Sequence, residues 1–174
     1  MKPMRARLIQ ILMLVLLAAS PAAASAINPL VAPAAPWAGH IREMDEALAG
    51  KNVEAAERAW HDAYLAALGS HLWQGMVEVG DASLRIGAVR GFRKISEVTA
   101  RQSYLAALSR ASQLGSLEGV LRTAQALAAL RDRAVVEQCL RIAENLAGEA
   151  RTAQARNRVR AVKAHLATMK WEER

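Results

Sequence analysis

The sequence predicts an all-α protein built from several short helices, and three observations lead to that fold class. Apolar residues make up 53% of the 174-residue chain but aromatic residues only 4%, a balance dominated by alanine and leucine that favours closely packed helices. No run shows the alternating apolar pattern of a strand. Glycines and short polar breaks divide the chain into helix-sized segments, so we expect one domain with appendages.

Residues 1–26 have the form of an export signal. A positively charged start precedes a twelve-residue apolar run at 8–19, and Ala24-Ser25-Ala26 provides the small-x-small site that signal peptidase accepts. Because the apolar run is shorter than the roughly 20 residues that span a bilayer, we expect cleavage there and a periplasmic or secreted product. The alternative is an uncleaved segment that anchors the protein in the inner membrane.

Residues 27–36 follow as a predicted tether. Pro29, Pro33 and Pro36 stand in this short stretch, and proline cannot continue a helix because it lacks the amide hydrogen. Ordered structure is therefore expected to begin near Trp37.

Seven helices are expected from there onward, each ended by a glycine or a polar break. Asn52 should cap the second helix, and Gly69-Ser70 should end it. The fourth helix carries a stripe formed by Phe92, Ile95, Val98, Gln102 and Leu105. Because the breaks are short, neighbouring helices should pack antiparallel. The predicted bounds are 40–49, 53–68, 71–89, 92–114, 116–130, 133–147 and 150–169.

A period of 40 residues relates the helices to one another. The segment YLAAL at 64–68 recurs at 104–108, and the same step aligns three triplets on the second helix of each predicted pair. The first triplet shows most clearly a large residue between two small ones. Small residues on each side allow neighbouring helices to approach closely. Helix pairs that cannot bury their own apolar face must stack. The predicted repeat core is Ala56, Trp60, Ala63, Ser96, Ala100, Ser103, Val136, Leu140 and Ala143.

This small–large–small pattern after a glycine turn resembles the second helix of a tetratricopeptide repeat, over residues 37–150. The resemblance implies a right-handed superhelix of about three antiparallel helix pairs, with a peptide-binding surface lined by the first helices. The first helices depart from the family pattern at Glu43-Met44 and Ser83-Leu84, and the period is longer than the usual 34 residues. HEAT-like pairs and chance recurrence in an alanine-rich chain are the alternatives.

Six polar residues on the first helices are candidates for contacting a protein or peptide partner. They lie on the side of each first helix opposite its own pair mate, and their mixed charges favour neither an anionic nor a cationic peptide. The alternative is a solvated face. The six are Arg42, Asp45, Asp81, Arg85, Arg122 and Gln125.

Residues 151–174 are predicted to form a basic helix that closes the array. Val159, Val162, Leu166 and Met169 make a narrow apolar stripe, and repeat arrays need a terminal helix with a polar outer side. A second stripe is basic, which indicates either a solvated cap or weak docking to an anionic surface. Its candidate docking residues are Arg156, Arg160 and Lys163.

Charge and cysteine content exclude several classes of protein. The net charge of +7 falls to +4 without the signal, and the excess lies in the C-terminal helix, so we expect no nucleic-acid partner. Cys139 is the single cysteine, which excludes an internal disulfide. We expect a small buried hydrophobe there, and an intermolecular disulfide or a reactive thiol is the alternative.

The sequence contains no catalytic, cofactor or metal motif. The four histidines form no metal-ligand group, and there is no nucleophile elbow or phosphate-binding glycine loop. We therefore expect an exported interaction or scaffold module without a cofactor, and not an enzyme. A membrane-anchored accessory subunit of an envelope complex and a small-ligand binder or enzyme remain as alternatives.

Overall fold

A computed structural model describes residues 35–169 and residue 171. These residues form seven α-helices and no strand, which confirms the all-α prediction. The predicted signal at 1–26 and most of the tether lie outside the described residues, as does Lys170. The helices are α1 (Ala38–Ala49), α2 (Val53–Ser70), α3 (Trp73–Arg90), α4 (Arg93–Gln113), α5 (Leu117–Ala129), α6 (Arg133–Ala150) and α7 (Ala153–Ala167).

Three helix pairs, α1–α2, α3–α4 and α5–α6, follow one another, and α7 packs on α6 and α5. The first helices also touch in series, α1 to α3, α3 to α5 and α5 to α7. The turn inside each pair has one left-handed residue, and these three residues are spaced by 40: Lys51, Gly91 and Arg131. The second helices start two residues later, at Val53, Arg93 and Arg133, so the 40-residue period is a period of the structure.

Turns between pairs lie at the opposite edge of the molecule because successive helices run antiparallel. Their left-handed residues are His71, Gly115 and Arg151, so the intervals are unequal. The difference arises in α4, which has 21 residues where α2 and α6 have 18. The predicted break at Gly69-Ser70 is wrong by two residues: α2 continues through Ser70, and the reversal occurs at His71.

The second helix of one pair contacts the first helix of the next pair at positions occupied by glycine or alanine. A Cβ added to Gly75 would lie 2.8 Å from the Cβ of Ala67 and 2.9 Å from the Trp37 ring. Trp37 is thereby buried in the core, and its indole N–H donates to Glu78 Oε2 at 2.7 Å. The small residues at this junction are Ala67 with Gly75, Ala111 with Gly119 and, at the equivalent positions of the third pair, the buried Ala147 and Ala155.

The nine predicted repeat-core residues all lie inside the molecule. Trp60 and Leu140 are half-buried and the other seven are buried. Asn52 caps α2 as expected, its side chain accepting from the Ala55 amide at 3.0 Å. The C-terminal helix also packs as predicted, with Val159 and Leu166 buried and Val162 and Met169 half-buried.

The stripe of larger residues noted on the fourth helix is not the face that packs inward. Phe92, Ile95 and Val98 are exposed, and the face that packs inward consists mostly of smaller side chains. Two helices whose facing residues are small can approach closely, so α4 turns its alanines and serines toward α3 and leaves the larger apolar residues outside. The buried face comprises Ser96, Ala100, Ser103, Tyr104, Ala107, Leu108 and Ala111.

Candidate functional site

The polar residues of the first helices form a ladder of ion pairs. Asp45 on α1 binds Arg85 on α3 through two contacts, of 2.9 Å from Nε and 3.3 Å from Nη2. Asp81, one turn before Arg85 on α3, accepts from Arg122 Nη2 on α5 at 3.0 Å. Each rung therefore joins one first helix to the next.

Asp81 also anchors the neighbouring second helix. The Tyr104 hydroxyl on α4 donates to Asp81 Oδ1 at 2.6 Å, and its ring lies so close to Gly80 that a Cβ there would be 2.4 Å away. Burial, followed by the hydrogen bond to Asp81, raises the pKa of Tyr104 far above its usual value of 10.0. This tyrosine is consequently a neutral packing residue.

Four of the six candidate partner residues thus already have a partner within the chain. Arg42 on α1 and Gln125 on α5 are exposed. The ladder lies on a solvent-exposed surface, and exposed ion pairs can exchange partners at small cost. The use of this face for binding remains a prediction.

An apolar groove lies on the other side of the molecule, between the second helices α2 and α4, with α3 as its floor. Its volume is about 470 Å³, a size typical of ligand pockets. Trp60 and His61 line one wall, and Phe92, Ile95 and Thr99 the other. The floor is formed by Ser83, Ile86 and Gly87.

The hydroxyl groups and the indole N–H in this groove already have hydrogen-bond partners. Ser83, Ser96 and Thr99 donate to backbone carbonyls of their own helices. The Trp60 indole N–H donates to the Val79 carbonyl at 2.9 Å, which fixes the ring in the wall. Apart from His61 in the wall and Glu57 with Arg90 at one end, the groove therefore offers mainly apolar contact area.

One end of the groove is closed by an ion pair between Glu57 on α2 and Arg90 on α3. The Arg90 guanidinium also lies over the Phe92 ring, 5.2 Å from its centroid, a cation–π contact that holds the exposed aromatic side chain at the mouth. Trp60 stacks on Tyr64 with 5.6 Å between the ring centroids. Aromatic side chains thus frame the groove from both helices.

The groove was not predicted, although the sequence contains a feature that indicates it. The stripe of large residues on α4 forms one wall of the groove and the surface beside it, with Ile95 67% and Phe92 54% exposed. A surface helix needs one apolar face to pack against the rest of the protein, and α4 has a second apolar face that this packing does not use. That surplus is the sequence feature that points to the site.

The basic stripe of α7 is exposed at Arg156, Arg160 and Lys163. Lys163 Nζ lies 2.7 Å from Glu144 Oε1 on α6, so this residue is part of the contact between the last two helices. Cys139 is fully buried on α6, and burial raises the pKa of its thiol to about 12. This agrees with the small-hydrophobe interpretation.

Within the described part of the chain, no His, Cys, Asp and Glu side chains converge in a group of three or more that could hold a metal ion. No helix among the described residues has the length and apolar character needed to cross a membrane. Comparison with protein-family models, with curated proteins and with solved structures found no match to this chain.

Proposed function

We propose that this chain is an exported, tetratricopeptide-like module that binds a protein or peptide partner in the cell envelope and acts by binding, not by catalysis. The observation that carries the proposal is the apolar groove between α2 and α4. Recognition of amphipathic segments in apolar grooves needs contact area and a rigid wall. Trp60 and Phe92 supply both, and aromatic residues are preferred anchors at interfaces.

A photocrosslinking side chain at His61 tests the groove directly, because His61 is exposed and lines its wall. The matched position is Gln125, which is exposed on the first-helix face. We expect one envelope protein, identified by mass spectrometry, to crosslink from position 61. Thr99→Arg, which fills the groove, should abolish the product, whereas Gln102→Arg, on the next turn of α4, should leave it.

The opposite pattern would contradict the groove. Crosslinking from position 125 alone would return binding to the first-helix face predicted from the sequence, and no product from either position would contradict an interaction module. Export is tested separately by mass spectrometry of the mature N-terminus. A chain beginning at Ile27 is expected, whereas a retained Met1 would favour the membrane-anchored accessory subunit.

A further inference from the structure

The three turns within helix pairs lie at one edge of the molecule, and the middle turn differs from the other two. The 40-residue period aligns their residues one to one. At the N-cap, α2 has Asn52 and α6 has Asp132, but α4 has Phe92. The Phe92 side chain cannot accept a hydrogen bond from the first turn of its helix, as Asn52 does in α2, or pair with an arginine, as Asp132 does with Arg101. The middle turn therefore exposes an aromatic ring in place of a polar N-cap side chain.

Near this turn, two more positions carry larger or more apolar residues than the equivalent positions of the other two pairs. Exposed Val89 corresponds to Ala49 and Ala129, and exposed Val98 corresponds to Arg58 and Gln138. With Phe92 and Ile95 they make an exposed apolar cluster, which we call the knuckle and define as Val89, Phe92, Ile95 and Val98. Departures from local rules that the fold does not need are expected at functional surfaces.

Basic residues surround this knuckle. The middle turn carries Arg90, Arg93 and Lys94, and the side chain of Arg93 is 86% exposed. Arg90 pairs with Glu57 and Arg93 with Glu97, one helical turn further from the edge. Among the described residues Lys94 has no carboxylate partner.

Charge is distributed unequally between the two edges. The three turns at this edge, residues 49–54, 89–94 and 129–134, contain six Lys or Arg and two carboxylates. The three turns at the opposite edge, residues 69–74, 113–118 and 149–154, contain one Arg and two carboxylates. The edge with the knuckle is therefore the cationic one.

From this arrangement we propose that this edge docks on an anionic lipid bilayer, with the knuckle inserted between headgroups. Apolar and aromatic side chains flanked by Lys and Arg are the pattern of interfacial membrane binding, and anionic headgroups attract each nearby cation. Phe92 and Ile95 also line one wall of the groove, but Val89 and Val98 extend the exposed apolar surface beyond it, which favours insertion over a ligand confined to the groove.

Local fluorescence on the full chain tests the proposal independently of the N-terminal segment. Val89→Cys and Leu114→Cys replace two exposed apolar residues at opposite edges, and each is labelled with an environment-sensitive dye. Cys139 is buried, and labelling of the parent chain measures its background. We expect the dye at position 89 to shift to the blue with phosphatidylglycerol-containing vesicles and not with phosphatidylcholine alone, and the dye at position 114 to stay unchanged.

Charge and insertion variants separate the contributions in the Val89→Cys background. Arg93→Gln and Lys94→Gln should each weaken vesicle binding about fivefold, and raised salt should weaken it further. Phe92→Ser should remove the blue shift. Arg151→Gln, at the other edge, is the matched control and should have no effect.

Three results would overturn the proposal: no response at position 89, an equal response at position 114, or an equal response to neutral vesicles. Polyglutamate in solution serves as the acidic-polymer probe. If it reproduced the response at position 89 while vesicles did not, the edge would bind acidic protein and not lipid. Crosslinking at His61 needs no lipid, so either proposal can fail without the other.

Discussion

Single glycines determine how closely successive helix pairs approach. Gly75 and Gly119 occupy the third position of α3 and α5, and a Cβ there would lie 2.8 and 2.7 Å from Ala67 and Ala111. Contacts so short require the backbone or a rigid ring to move. Gly75, Gly80 and Gly87 all lie on α3, and a Cβ at each would come closer than 3.0 Å to a side chain of a neighbouring helix, so close crossing explains why this helix carries three glycines.

Gly75→Ala and Gly119→Ala should therefore each lower the free energy of unfolding by about 1–3 kcal/mol through overpacking. Gly69→Ala is the control, since Gly69 is also helical but has no heavy atom within 4 Å of a built Cβ. It should be neutral or stabilise by up to about 1 kcal/mol. Chemical denaturation measures all three, and equal effects at 69 and 75 would contradict the close-contact argument.

Burial of Cys139 predicts a specific alkaline response. Burial in the fold raises the pKa of this thiol from the ordinary value of 9.0 to about 12. Because the raised pKa belongs to the folded state, the neutral thiol stabilises fully below pH 9, and that contribution is lost as the pH rises toward 12. The free energy of unfolding should fall by about 1.4 kcal/mol per pH unit from this group.

Cys139→Ala provides the comparison for that response. It should lower stability at neutral pH by removing a buried sulfur but flatten the pH dependence between 9 and 12. Urea midpoints across this range measure the difference between the two chains. Parallel curves for both chains would show that the thiol titrates normally in the fold.

At the scale of helices, one arginine on α4 binds the C-terminal end of α2. Arg110 on α4 donates to the carbonyls of Ala67 and Leu68 at 3.0 Å each and of Leu72 at 3.1 Å. Ala67 and Leu68 lie in the C-terminal turn of α2, where their carbonyls also accept from the Ser70 hydroxyl and the His71 amide. A cation at this end of a helix is favoured by the helix dipole. The guanidinium thus acts as the C-terminal cap of another helix.

Arg110→Ala should accordingly cost about 1.5–3 kcal/mol, the range for hydrogen bonds to charged groups. Arg110→Lys should recover only part of this because an ammonium lacks the planar fork. Arg133→Ala, which breaks an exposed pair with Glu137, is the control and should cost under about 1 kcal/mol. Amide hydrogen exchange in the last turn of α2 should rise in Arg110→Ala alone.

Helix starts were predictable from the sequence, whereas helix faces were only partly so. Asn52 and the 40-residue step located the second helices because capping and turn chemistry are local. On α4 the repeat triplet Ser96, Ala100 and Ser103 identified the inward face correctly. The large side chains of the same helix, such as Ile95, were misleading because hydrophobic periodicity gives most weight to them although they are exposed. The second apolar stripe of α4 marks one wall of the groove in the sequence, but the groove itself depends on the proximity of α2 and α4, which no local pattern encodes.

Considered as a whole, the described chain is a stack of three pairs with a polar side at each end. On α1, Arg42, Glu43 and Glu46 face outward, and on α7 the exposed residues include Arg156 and Arg160. A stack of repeats needs such polar terminal faces to stop further addition. The middle pair differs from the ends of the stack because it exposes large apolar side chains, at the knuckle and in the groove wall.

The last helix offers the clearest test of this organisation. Ala155, Val159 and Leu166 are buried against α5 and α6, so deletion of residues 151–174 should uncover their apolar partners. The expected result is aggregation or loss of cooperative thermal unfolding, measured by light scattering and circular dichroism. A truncated chain that stayed monomeric and equally stable would contradict the assignment of α7 as a cap.

Changing Arg156, Arg160 and Lys163 together to glutamine separates packing from charge in the same helix. Fold stability should hardly change, because only Lys163 has an ion pair across helices, with Glu144, and an exposed pair contributes under about 1 kcal/mol. If this stripe also docks to an anionic surface, vesicle binding should weaken most at low salt, where screening is least. An unfolded triple variant would mean that α7 is held by its charges, and its apolar stripe could then not be what closes the array.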